Sequence, residues 1–185
     1  ATTEIYPLSL HDALPIFSDS RWPATHYLRR AIRFAEYQHR EISVLLPVAP
    51  RKVLISIRGG AAELESVHSE PLEPPQVWAS EEQHAFMDFA TEFALRAGYL
   101  PEGDYQDEEA RFRIEYRDRL FNSDGSVELS PARINRMTGT VQLSRPQFQG
   151  FTIPVRLAIL SHEICHRTLD TRDETRADLC GLSYY

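Results

Sequence analysis

Residues 158–166 of this chain are Ala158-Ile159-Leu160-Ser161-His162-Glu163-Ile164-Cys165-His166, in which two histidines stand four residues apart after an apolar run. Residues four apart lie on one face of an α-helix, so His162 and His166 can direct two ring nitrogens at a single ion. The apolar run predicts a largely buried helix, in which unpartnered histidines would be costly. A metal ion would supply the partner, so the segment predicts a metal-binding helix.

Glu163 stands directly after the first of these histidines. Its place on the helix lets the carboxylate reach a metal-bound water without binding the metal, which is the His-Glu-x-x-His arrangement. In this interpretation Glu163 is a general base. The alternative is structural: without a metal, two histidines and a glutamate would form the polar face of an amphipathic helix.

A second segment, Glu174-Thr175-Arg176-Ala177-Asp178, follows closely, and a catalytic zinc ion needs a third protein ligand. Together the two segments resemble the gluzincin metallopeptidases, over roughly residues 111–185. The chain is also similar to minimal gluzincins and to peptidase domains encoded by phages and mobile elements. The resemblance implies that Glu174 binds Zn²⁺ together with His162 and His166. It also implies that Asp178 accepts a hydrogen bond from a ligand histidine.

Other assignments of the third ligand stay open at this point. Thr171-Arg172-Asp173-Glu174 has the form of a capping box, which would give Glu174 a purely structural role. In that case Asp170, Asp173 or Asp178 would be the third ligand. Only seven residues separate His166 from Glu174, so the chain must turn sharply between two helices.

The expected activity is zinc-dependent hydrolysis of a peptide bond. Zinc lowers the pKa of its water from 15.7 toward about 7, and Glu163 would take up the proton. The partner is then a peptide or protein substrate. By resemblance to related peptidases, it would pair with a sheet edge at 140–144. The alternatives are an inactive binding module with a zincin fold, or a structural zinc site, which would need four protein ligands.

The predicted fold class is α+β: a small antiparallel or mixed sheet packed on the active-site helix and the following glutamate helix, with an N-terminal helical segment. The segment from Glu70 to Gln76 is rich in proline and predicts a linker. The predicted boundary therefore separates an N-terminal segment, 1–75, from a zincin-like domain, 76–185, that is truncated at its C-terminus. The predicted helices are 24–46, 80–97 and 154–169, and the predicted strands are 53–57, 112–116, 133–136 and 140–144.

Bulk properties exclude several classes of partner. The net charge is −7 and no apolar run approaches the ~20 residues of a membrane span, so neither nucleic acid nor membrane is an expected partner.

Cys165 and Cys180 are the only cysteines, and we expect each to be a small buried apolar residue. This cysteine usage and the lack of a signal peptide favour a cytoplasmic protein. Residues 8–16 resemble translated adapter sequence, so residues 1–20 carry no functional assignment.

Overall fold

The computed structural model describes residues 2–7, 12–19, 22–33, 38–44, 46, 52–58, 62–70 and 80–184. The chain divides into two compact units, Ala1–Val77 and Trp78–Tyr185. Helices and sheets both occur, so the predicted α+β class is confirmed. Most of the predicted proline-rich linker, from residue 71 onward, lies outside the described residues.

The described part of the first unit consists of strands. In chain order they are β1 (Thr2–Pro7), β2 (Asp12–Asp19), β3 (Trp22–Arg29), β4 (Ile32–Arg33), β5 (Arg40–Ser43), β6 (Val53–Arg58) and β7 (Ala62–His68). Strand β1 pairs with β5 and β7, and β2 pairs with β3, β4 and β6, all antiparallel. The strand predicted at 53–57 is confirmed by β6.

The predicted N-terminal helix over 24–46 is wrong. Thr25 and Tyr27 are buried on one face of β3, and Leu28 pairs with Phe17 of β2. A β-branched residue and an aromatic residue at alternate positions suit a half-buried strand. Pairing with a neighbouring strand therefore outweighs the helical preference that the spacing of the apolar residues indicates.

The second unit holds four helices and a four-stranded sheet among its described residues. The elements are α1 (Glu81–Arg96), β8 (Gly103–Gln106), β9 (Arg113–Arg117), β10 (Ala132–Asn135), β11 (Thr140–Ser144), α2 (Arg145–Gly150), α3 (Ile153–Thr168) and α4 (Glu174–Leu182). The strand order is β10-β11-β9-β8, and only the β9–β11 pair is parallel. The helices predicted at 80–97 and 154–169 are confirmed by α1 and α3. The acidic stretch 101–109 contains β8.

Local sequence signals explain where these elements begin and turn. Helix α1 starts with a capping box, in which Ser80 accepts from the backbone of Gln83 and the Gln83 side chain accepts from the backbone of Ser80. The β10–β11 hairpin turns through Gly139, whose φ of +73° suits a residue without a side chain. Pro154 lies in the first turn of α3, where its missing N–H would have no partner within the helix.

Helix α3 packs against α1, β10 and β11, and an aromatic cluster joins α1 to β9 and α2. The cluster contains Phe93, whose ring lies 5.3 Å from Tyr116 and 6.0 Å from Phe148. Arg156 of α3 is fully buried and donates hydrogen bonds to backbone carbonyls of Ala94, Phe148 and Gln149. Burial lowers the pKa of its guanidinium. These three bonds tie α3 to α1 and α2, and so hold the histidine helix in place.

Candidate metal centre

The two helices that carry the predicted site form an antiparallel hairpin with a short turn. Asp170 has a φ of +42°, and the backbone N–H of Thr171 donates to the carbonyl of His166 at 3.0 Å. Helix α4 then begins with Asp173 as its N-cap, which accepts from the backbone of Arg176 at 3.1 Å. The predicted capping box from Thr171 to Glu174 is therefore wrong, because Glu174 is the first helical residue and Asp173 is the cap.

Three side-chain atoms from His162, His166 and Glu174 converge at this hairpin. The two histidine Nε2 atoms lie 3.0 Å apart. The Glu174 Oε2 atom lies 3.1 Å from Nε2 of His162 and 3.5 Å from Nε2 of His166. Three ligand atoms bonded to a tetrahedral zinc ion at about 2.0–2.1 Å would lie about 3.3–3.4 Å from one another. The spacing therefore fits three ligands of one ion.

Hydrogen bonds on the far side of each imidazole fix which nitrogen faces the cluster. Nδ1 of His162 lies 2.7 Å from Oδ1 of Asp178, and Nδ1 of His166 lies 3.0 Å from the carbonyl of Thr171. Both oxygens are acceptors, so both Nδ1 atoms donate. In neutral imidazoles the two Nε2 atoms then carry lone pairs, which face each other and the Glu174 carboxylate. Three acceptors at this distance repel one another, and a bound cation would remove that repulsion.

Glu163 is buried, with 8% of its surface exposed. Burial raises the pKa of its carboxyl group above its ordinary value. The neighbouring His162 and His166 oppose this shift, Glu174 adds to it, and a hydrogen bond from the backbone of Ile134 lowers the pKa slightly. Glu163 thus lies between the histidine pair and strand β10, in surroundings that favour its protonated form. A carboxyl group of this kind suits a general acid–base role.

The strand next to Glu163 is β10, not β11. The sequence prediction placed the substrate-binding edge at 140–144, but β11 lies inside the sheet, between β10 and β9. That prediction is wrong because the order of strands depends on long-range pairing. The carbonyls of Pro131 and Asn135 accept hydrogen bonds from the backbone N–H groups of Ser144 and Gly139, so the backbone groups of the odd-numbered residues face β11. Antiparallel pairing alternates, so the backbone groups of Ala132 and Ile134 face the open edge.

The other acidic residues considered as ligands have different contacts. Asp170 pairs with Arg136 at 3.1 Å, and Asp173 caps α4. Asp178 contacts the far side of the His162 ring. Among the described residues, the structure brings only His162, His166 and Glu174 together as a possible metal-binding group.

The site is more open on one side than on the other. The Glu174 side chain is 74% exposed, whereas that of His166 is 11% exposed. Next to His162 an apolar cavity of about 610 Å³ opens between α3 and α4. Its lining includes Val155, Ala158 and Leu182.

The two cysteines form a disulfide between α3 and α4, which the sequence analysis missed. The expectation of two separate apolar cysteines is therefore wrong, although Cys165 is buried. A usable signal was the hairpin itself, because a turn near 169–173 places Cys165 and Cys180 opposite each other on antiparallel helices. Their Cα atoms lie 5.9 Å apart, a separation that suits a disulfide.

Comparison with known protein families, with curated proteins and with solved structures finds no match for this chain. The resemblance to gluzincins therefore depends on the His162–His166 segment, on the Glu174–Asp178 segment and on the geometry of the cluster that they form. Among the described residues, no helix has the length and apolar character needed to cross a bilayer.

Proposed function

We propose that this chain is a zinc-dependent peptidase of gluzincin type, with His162, His166 and Glu174 as zinc ligands. The observation that carries the proposal is the convergence of three possible ligand atoms within 3.5 Å of one another. Zinc bound there would supply a Lewis acid that activates water and polarises a carbonyl group. The nitrogen and oxygen donors suit zinc, whereas calcium and magnesium prefer oxygen ligands alone.

Glu163 is the proposed proton carrier. It would accept a proton from the attacking water and pass it to the leaving amine, which restores the carboxylate for the next turnover. Its burial supports this role, because burial raises the pKa of the Glu163 carboxyl group and so makes it a better proton acceptor than an exposed glutamate. Asp178 and the carbonyl of Thr171 would hold the two imidazoles in the orientation that the ligands need.

The substrate is proposed to bind as an extended peptide along the edge of β10. The main-chain groups of Ala132 and Ile134 face that edge, and the backbone of Ile134 contacts the proposed general base. Strand addition there would lay the peptide bond beside Glu163. The apolar cavity next to His162 is large enough for an aliphatic or aromatic side chain, so we expect a preference for such a residue near the cleaved bond.

The alternative of a structural zinc site has less support. A closed structural site needs four protein ligands, and the described residues bring three together. The two cysteine sulfurs, of Cys165 and Cys180, are bonded to each other. A zincin fold without activity would be distinguished by turnover, since Glu163 is the residue on which hydrolysis depends.

The experiment that tests the proposal combines metal content with peptide turnover. The purified chain should bind about one zinc ion, and a library of quenched fluorescent peptides should be cleaved before chelation and not after it. His162→Ala and His166→Ala should each lose zinc, whereas the exposed His68→Ala is the matched control. Full zinc occupancy in the double histidine variant would exclude this site.

A cytoplasmic location is retained as a proposal, and it gives the disulfide a particular meaning. Stable structural disulfides belong to oxidising compartments, whereas those of cytosolic proteins are usually transient or redox-sensing. In a reducing compartment Cys165 and Cys180 would therefore alternate between a disulfide and two free thiols.

A further inference from the structure

The disulfide joins the two helices that supply the proposed ligands. Cys165 directly precedes His166 on α3, and Cys180 lies two residues after Asp178 on α4. Among the described elements, α4 packs mainly on α3. The helices approach closely at Gly181, where an added Cβ atom would lie 3.3 Å from the backbone nitrogen of His162. The covalent link therefore fixes the part of α4 that faces the histidine pair.

Helix α4 depends on such a link more than a longer helix would. It has nine residues, and isolated helices shorter than about 12–15 residues are marginal in water. Its buried contacts come from Ala177 and Gly181, and the ring of Tyr184 after it lies 5.7 Å from Phe86. Glu174 is mostly exposed, so side-chain packing does little to hold its carboxylate. The position of that carboxylate follows the position of α4.

We infer that the Cys165–Cys180 disulfide positions Glu174 for the metal, and that zinc affinity therefore depends on the redox state of these two cysteines. The inference rests on the proposed zinc site and adds a regulation to it. In the oxidised protein α4 is held in register with α3. In the reduced protein α4 moves more freely, and the third ligand is less well placed.

The chemistry requires a dithiol reductant. A reductant thiolate attacks Sγ of Cys180, which is half-buried, rather than Sγ of Cys165, which is fully buried. The bond between the two cysteine sulfurs breaks as the mixed disulfide forms, and Cys165 leaves as a thiolate. The second thiol of the reductant then displaces Cys180 and closes the reductant's own disulfide. Two electrons and two protons pass from the reductant to the two cysteines.

The test compares zinc affinity in the two states. The protein is reduced with dithiothreitol, freed of reductant by anaerobic gel filtration, and titrated with zinc against a chromophoric chelator. Loss of a group that orients a metal ligand usually weakens affinity by roughly 10- to 100-fold, and reduction should weaken it to that extent. Circular dichroism should show that the reduced protein keeps its fold. Equal affinity in the two states would overturn the inference.

Two variants separate positioning from general stabilisation. Cys165→Ser combined with Cys180→Ser should bind zinc as weakly as the reduced protein and should ignore the reductant. In Glu174→Ala, reduction should change zinc affinity little, because the ligand through which the disulfide acts is gone. A loss in Glu174→Ala as large as in the unchanged protein would mean that the disulfide supports the whole hairpin and does not position this ligand.

Cobalt substitution covers the remaining alternative, in which the freed thiols bind metal themselves. The reduced protein loaded with Co²⁺ should show no thiolate-to-cobalt charge-transfer band, and such a band would overturn the inference. If the oxidised protein binds neither zinc nor cobalt, the proposed function fails as well. Binding with no redox dependence would contradict the regulation alone.

Discussion

Oδ1 of Asp178 lies 2.7 Å from Nδ1 of His162, on the side of the ring opposite Glu174. The carboxylate accepts a hydrogen bond from Nδ1–H, so in a neutral ring the lone pair is on Nε2, which faces the cluster. One residue thus sets both the tautomer and the orientation of a proposed ligand. This hydrogen bond is a second polar contact between α4 and α3, one helical turn beyond the contact of Glu174 with His162.

Replacing Asp178 should therefore weaken zinc binding without removing a ligand. We expect Asp178→Ala to lower zinc affinity by roughly 10- to 100-fold, as is usual when the partner of a ligand histidine is lost. Asp178→Asn should be less severe, because the amide oxygen can still accept the proton. Zinc titration of the three proteins checks the order. An Ala variant that matches the unchanged protein would remove Asp178 from the site.

Glu163→Gln should separate catalysis from metal binding. The amide has nearly the same shape but cannot carry the proton, so peptide hydrolysis should fall by about 10²–10⁴-fold while zinc content stays near one ion per chain. The matched control is Glu92→Gln, which changes an exposed glutamate of α1 that pairs with Arg96. The measurement is turnover of a cleaved peptide with zinc content determined on the same sample. Retained turnover in Glu163→Gln would exclude the assigned base.

Glu174→Ala and Asp173→Ala form a pair that distinguishes ligand from cap. Glu174→Ala should weaken zinc affinity strongly, since it leaves two histidines as protein ligands. Asp173→Ala removes the side chain that caps α4 and should cost about 0.5–2 kcal/mol of stability, with a smaller effect on zinc. Zinc titration and thermal unfolding of both variants decide between the roles. The opposite pattern would move the ligand assignment to Asp173.

The buried Glu163 carboxyl predicts a pH dependence of the metal-free protein. Its pKa is raised above the ordinary value of 4.5 because burial disfavours the charged form. Because the pKa of Glu163 is higher in the folded state than in the unfolded state, its contribution to the free energy of unfolding is complete below pH 4.5. That contribution is lost as the pH rises through the pKa of the folded state. The Glu163→Gln variant does not lose stability in this way, because glutamine does not ionise. In the presence of a chelator, its Tm should therefore rise relative to the unchanged protein as pH increases toward neutrality.

Thermal unfolding of both proteins across that pH range provides the measurement. The two Tm values should lie closest at the acidic end, where Glu163 is protonated and resembles a glutamine. A constant difference at every pH would show that ionisation of this carboxyl group does not influence folding.

The sequence predicted α3 and the histidine pair because their signals are local, whereas Glu174 was assigned by resemblance alone. The spacing of His162 and His166 defines a helix face, and the capping box at Ser80 marks the start of α1 with equal clarity. The turn at Gly139 is a third example, since its positive φ favours glycine. Each of these features depends on fewer than ten consecutive residues.

Most of the features that were missed depend on distant parts of the chain. The strand at 40–43 replaced part of a predicted helix because its partner β1 lies at the start of the sequence, whereas the strand at 22–29 pairs with the preceding β2 in a local hairpin that the helical spacing concealed. The edge position of β10 follows from the parallel pairing of β9 with β11, which no local pattern reveals. The disulfide requires the hairpin to be known first, since Cys165 and Cys180 become neighbours only after the turn between α3 and α4 is placed.

The unequal exposure of Glu174 and His166 has a consequence for how a metal would enter and leave. An incoming chelator would meet the carboxylate side first, because the Glu174 side chain is mostly in solvent. If zinc is held here as proposed, a chelator could reach it from that side while both histidines stay bound, and metal exchange would not require unfolding. A metal held here would be kinetically labile even if tightly bound. Occupancy in the cell would then follow the free zinc concentration of the moment rather than the history of the chain's folding.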